Sequence, residues 1–175
     1  SQRQNEQQKL DKQAFSQIRK SFDVFEKKRE ETIQKSREII QLSKKIIYDL
    51  HRSDLRSATE SVKKINQELK KLSNKKFDTD MDNLAQQEYA EAITFYEFVK
   101  GSKISNHRQL GVSSHNYLMG LCDLTGELGR YAVNQAIKRN FKEVFKTKEL
   151  VDEIYGELLK FNLRNSDLRR KSDAI

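Results

Sequence analysis

The sequence predicts an all-α protein, an elongated bundle of about six to seven helices. Proline is absent and only 6 glycines occur in 175 residues, so the chain has almost none of the punctuation that strands and tight turns need. Lys, Glu, Gln, Leu and Arg favour helix. Apolar residues recur at intervals of three, four or seven along most of the length.

The first helix is expected over about 8–52, where nothing breaks the pattern and Leu10, Ala14, Ile18, Phe22, Phe25, Ile33, Ile40, Ile47 and Leu50 form the stripe. Lys27, Lys28, Arg29, Glu30 and Glu31 fill other faces as a solvated surface. Ser53 or Asp54 caps a second helix running to about Asn74, which pairs with the first as a hairpin. Asp80 is the expected cap of a third, over about 82–100. Gly101 ends it, and 101–114 reads as a loop-like connector inside one domain.

Ser113 or Ser114 caps a fourth long helix through about Asn140. Gly120, Gly126 and Gly129 lie within it, and each costs up to ~1 kcal/mol relative to Ala, so close approach of another helix is expected there. A fifth helix covers about 141–161, and Ser166 or Asp167 starts a last one. Residues 1–175 are read as a single helical domain whose C-terminal helix is truncated or missing.

Hydrophobic residues are 35% and charged residues 34% of the chain, thin for helices that would otherwise expose most of their length, so an oligomer is expected. The net charge of +8 favours an anionic partner, most simply nucleic acid. A single Cys122 excludes an internal disulfide framework and fits a cytoplasmic or nuclear setting. No apolar run reaches the ~18 to 20 residues of a membrane span.

The chemistry is carried by carboxylates. Glu88 and Glu91 are three apart on the third helix, and Asp123 and Glu127 four apart on the fourth, so each pair shares a helical face. In a charge-rich chain such pairs are ordinarily wet surface, but Leu118, Leu121, Leu124 and Leu128 put at least one acid beside the core. If the two helices pack antiparallel, four carboxylates converge and require a cation. Oxygen ligands without His or Cys suit Mg²⁺, with Mn²⁺ as the substitute. A buried acid paired with Arg130 is the structural rival. His51, His107 and His115 are assigned to caps or loops.

The run from Tyr117 to Arg130, YLMGLCDLTGELGR, resembles the signature of the translin family, in particular translin-associated factor X and the archaeal translin-like nucleases. EYAEAITF from Glu88 to Phe95, followed by Phe98-Val99-Lys100, is similar to that family's other acidic motif. Weaker similarity covers Ser36 to Ile40 and Asn162 to Asn165. Gly129, Ser114 to Asn116 and the missing final helix depart from the family pattern.

The resemblance implies a helical bundle assembled into a hollow octamer in which nuclease subunits cleave single-stranded RNA with Mg²⁺. Glu88, Glu91, Asp123 and Glu127 stand at the positions of the catalytic, metal-binding acids. The short connector resembles the archaeal form, which implies a homo-octamer; a eukaryotic chain would form a hetero-octamer with translin subunits. Arg130, Lys44, Lys45, Lys63 and Lys64 are expected to contact the RNA backbone. The alternatives are a non-catalytic translin-like subunit that binds single-stranded RNA or DNA, and a helical scaffold with no nucleic-acid role.

Overall fold

The structure, a computed structural model, describes residues 9–72, 81–164 and 166–175. Among them are seven helices and no strand: α1 (Lys12–His51), α2 (Leu55–Leu72), α3 (Met81–Lys100), α4 (His107–Leu110), α5 (Ser114–Ile137), α6 (Phe141–Leu158) and α7 (Asp167–Asp173). The expected helix start at Gln8, helix end at Asn74, cap at Asp80 and motif residue Asn165 lie outside the described residues.

Caps set the boundaries. Asp11 accepts hydrogen bonds from the amides of Gln13 and Ala14, so α1 begins at Lys12. Asp54, rather than Ser53, accepts from the Ser57 amide at the start of α2. Ser113, rather than Ser114, caps α5, and Arg139 turns the chain with φ of 59°, so α5 stops at Ile137, three residues before Asn140. The expected loop over 101–114 contains one helical turn, α4, because Asn106 and Gln109 form a reciprocal capping box and Gly111 takes a left-handed φ of 72°. The helix expected over 141–161 ends at Leu158, and Ser166 caps α7.

Contacts along the helices fix their directions. α1 and α2 are an antiparallel hairpin, since Lys35 reaches Glu68 while Lys45 reaches Ser57. α2 and α3 are antiparallel as well, with Asn66 bonded to Tyr89 and Thr59 to Tyr96. Hence α1 and α3 run parallel. α3 and α5 are also parallel, because Asn116 bonds Asn83 and Gln87, Gly120 lies on Ala90, and the Tyr131 ring meets Phe95 and Phe98.

The antiparallel arrangement of the two acid-bearing helices is therefore corrected to a parallel one. The connector makes this geometry feasible. Its 13 residues over 101–113 reach up to ~43 Å, whereas the return from the end of α3 to the level of Gln86 is only ~21 Å. Ser105 donates to Glu97 on the way back, and the Ser113 amide donates to Gln86 at 3.3 Å.

Close packing by glycine is confined to one of the three helical positions. A β-carbon at Gly120 would lie 2.8 Å from Ala90 Cβ and 2.8 Å from the Gln87 carbonyl oxygen, whereas Gly126 and Gly129 face open space. The core runs through Ile39, Ile46, Ile65, Phe95, Leu124 and Leu128, all fully buried. α1 contributes to it only from Thr32 onward. Its outer half exposes Phe15, Ile18, Phe22 and Phe25, which continue outward the same alternating three-four spacing as the buried Thr32, Ser36, Ile39, Ser43, Ile46 and Leu50.

Gly120→Ala is expected to destabilise the protein by about 1–3 kcal/mol through forced separation of α3 and α5. Gly126→Ala and Gly129→Ala are expected to be neutral or to stabilise by up to ~1 kcal/mol. Denaturant titrations of the three variants check the contrast.

Candidate functional site

Because α1, α3 and α5 run in one direction, the ends of α1 and the middles of α3 and α5 arrive at the same level. There they enclose a cavity of about 640 Å³. α3 supplies Glu88 and Glu91, α5 supplies Asp123, Glu127 and Arg130, and α1 with its following residue supplies Lys44, Ile47, Tyr48, His51 and Arg52. All four sequence-predicted acids line this one cavity, together with Lys44 and Arg130.

Their electrostatics reflect the crowding. Glu91 is 6% exposed, and burial, reinforced by the charges of Glu88, Asp123 and Glu127, pushes its carboxyl up to about 9. Glu88 is also raised, first by burial, with Lys44 pulling against it and Asp123 adding to it. Neither side chain has a hydrogen bond or ion pair among the described residues. Burial lifts the Cys122 thiol to about 11, so it remains a thiol at neutral pH and is no nucleophile.

The α5 acids are held differently. His51 Nε2 lies 2.5 Å from Glu127 Oε2, and Arg130 Nη1 donates to the same oxygen at 3.3 Å. Lys171, carried by α7, donates to Asp123 Oδ1. Glu127 Oε1 and Asp123 Oδ2 accept nothing among the described residues. With the α5 acids turned toward these bases, no three His, Cys, Asp or Glu side chains among the described residues are grouped closely enough to hold one metal ion. The donor chemistry nonetheless fits a hard cation: four oxygen acids face one space, and one of them keeps its proton despite the nearby lysines.

The other basic candidates point elsewhere. Lys45 donates to Asp49 and Ser57, both at 2.7 Å, at the turn between α1 and α2. Lys64 lines a separate groove with Glu38 and Glu68, and Lys63 is exposed on α2, outside the acidic cavity. His51, assigned to a cap, is instead the last residue of α1, with its side chain only 8% exposed and its ring against Phe95. Lys44, Ile47, Tyr48 and His51 follow helical spacing, a signal that could have placed His51 in the site. Lys171 carried no such signal.

The family description "Translin family" matches residues 27–175. An uncharacterized protein of Methanocaldococcus jannaschii is 30% identical over 152 residues, spanning 83% of this chain and 68% of that protein. A translin-associated protein X homolog of Schizosaccharomyces pombe is 28% identical over 137 residues, 67% of this chain and 59% of that protein. Among solved structures, apo-NeC3PO superposes with a TM-score of 0.85 at 30% identity, covering 91% of this chain and 88% of that one. A complex of AfC3PO with duplex RNA gives 0.82 at 28% identity, covering 92% and 88%. With the family pattern running from the outer half of α1 to the last residue, and with the helical fold shared by these structures, the chain belongs to the translin family.

Proposed function

We propose that the chain is a metal-dependent endoribonuclease subunit that cleaves single-stranded RNA in an oligomer, with Glu88, Glu91, Asp123 and Glu127 as its acids. The observation that carries this reading is the convergence of four carboxylates from α3 and α5 on one solvent-open cavity, with Glu91 buried and raised to about 9. A structure composed only for packing would not bury such a group beside three like charges. The resemblance of AfC3PO, solved with duplex RNA, supports an RNA substrate.

In this reading the four acids hold Mg²⁺ or Mn²⁺, which supplies Lewis acidity toward the scissile phosphate and lowers the pKa of a water. The chain's own groups divide the remaining work. Asp123 and Glu127 each keep one oxygen engaged by a base and one free. Lys44, Arg52 and Arg130 line the cavity with positive charge suited to a phosphodiester backbone. Glu91, held neutral first by burial and then by its like-charged neighbours, would have to release its proton to serve as a cation ligand.

A second reading, a non-catalytic subunit binding single-stranded RNA or DNA, is favoured by one observation: Asp123 and Glu127 already pair with His51, Arg130 and Lys171. The oligomer, a homo-octamer or a hetero-octamer with translin subunits, is part of the proposal. The exposed Phe15, Ile18 and Phe22 on the outer half of α1 support it, because a helix gains little stability without a packed face.

Asp123→Ala and Glu127→Ala are expected to lower Mg²⁺-dependent cleavage of a fluorescent single-stranded RNA by about 100-fold or more. Salt-sensitive RNA binding is retained, and EDTA reproduces the loss in the unmodified protein. Binding without metal-dependent cleavage in the unmodified protein supports the second reading. Phe15→Lys with Phe22→Lys is expected to reduce the subunit number seen by native mass spectrometry.

Glu91 gives a pH prediction. Its native pKa lies above the ordinary 4.5, so the native state retains a proton that the unfolded state releases. The associated stability is complete below about pH 4.5 and is lost as pH rises toward about 9. In EDTA, Glu91→Gln is therefore expected to stabilise the protein by on the order of a few kcal/mol near pH 8 and to change little near pH 4. Thermal unfolding at the two pH values checks this.

A further inference from the structure

We infer that His51 is a positioning residue whose Nε2–H fixes Glu127 for cation binding. This rests on the reading of the four acids as a metal site. The first observation is a cost without a structural return: His51 Nδ1 is buried and has no hydrogen-bond partner among the described residues, so the ring gives up hydration on one nitrogen. A leucine at the same place against Phe95 would lose nothing comparable. What the histidine gains lies on its other nitrogen.

Nε2 stands 2.5 Å from Glu127 Oε2, and a carboxylate oxygen only accepts, so the hydrogen between them sits on Nε2. The ring is held on its flank by Phe95, with centroids 5.1 Å apart. Arg130 reaches the same oxygen at 3.3 Å, but its side chain is 69% exposed and competes with water. The buried donor therefore sets the orientation of Glu127, and both donors act on Oε2, leaving Oε1 free within the acidic cavity.

Carboxylate ligands of metal centres depend on such outer hydrogen bonds, whose loss typically weakens metal affinity about 10- to 100-fold. This separates the two residues that approach Glu127. His51 brings a buried, fixed donor that α1 carries in from outside the acid-bearing helices; Arg130 adds an exposed charge one turn along α5 itself.

The test is Mn²⁺ affinity measured by electron paramagnetic resonance on the full chain, with thermal unfolding in EDTA beside it. His51→Leu is expected to weaken Mn²⁺ binding about 10- to 100-fold without lowering the unfolding temperature, because the orphaned nitrogen is removed with the ring. His51→Gln, whose side-chain amide carries a donor at nearly the same reach, restores affinity to within about threefold. Arg130→Ala is expected to stay within about threefold as well.

Native-like affinity in His51→Leu, or a loss in His51→Gln as large as in His51→Leu, overturns the role of the N–H. If His51→Leu does not fold, His51→Asn, with a shorter amide that falls short of Glu127, is expected to show the same loss, and native affinity there overturns the inference. Mn²⁺ binding abolished by Asp123→Ala but untouched by His51→Leu overturns this inference alone. Absence of Mn²⁺ binding by the unmodified protein overturns both it and the metal-site reading.

Discussion

Everything at the acidic cavity depends on how closely α3 and α5 approach while running in the same direction. Gly120 sets that approach, because its missing β-carbon lets the α5 backbone settle against Ala90 and the Gln87 carbonyl. One turn further along α5 comes Asp123, and one turn beyond that Glu127; on α3 the contact residue Ala90 is flanked by Glu88 and Glu91. Parallel packing keeps these positions in step, and the returning connector over 101–113 is what permits it. α1 joins in the same sense, so its last turn brings His51 to the level of Phe95 and Glu127.

The cavity is an expensive arrangement for a small helical protein. Carboxylates crowded into one cavity repel, and the protein answers in two ways. On α5 it supplies bases: Lys171 to Asp123, and His51 with Arg130 to Glu127. On α3 no base bonds either acid among the described residues; Lys44 acts on Glu88 only through its charge, and Glu91 keeps its proton. This division leaves the α5 acids hydrogen-bonded to bases and the α3 acids without such a bond among the described residues, an asymmetry that a pure packing role does not call for. The α7 contact also ties the last described segment of the chain to the site through Lys171.

Much of this was legible in the residues. The period of the apolar stripe gave the long helices, the two acidic motifs gave the residues that share the cavity, and the run from Tyr117 to Arg130 gave the family. Helix direction was not legible, because the periodicity of α3 and α5 is the same whether they run parallel or antiparallel; only the path of 101–113 decides it. The fates of the glycines were also hidden, since Gly120, Gly126 and Gly129 are alike in sequence and differ in which one faces α3. His51 reads as a cap or loop residue because it stands at a helix end far from the acids in sequence. Lys171 carries no signal because a lysine in a basic segment is ordinarily solvated. Lys45 and Lys64 lie outside the acidic cavity, because the α1–α2 hairpin places them near Asp49 and Glu68.

The most direct test is a crystal of the full chain grown with Mn²⁺ and measured at the manganese absorption edge. The expected result is an anomalous peak in the cavity bound by carboxylates of both α3 and α5, with Glu127 presenting its free oxygen to the ion while His51 holds the other. A peak held by one helix alone, or none in the cavity at saturating Mn²⁺, would contradict the convergence of the four acids on a shared cation.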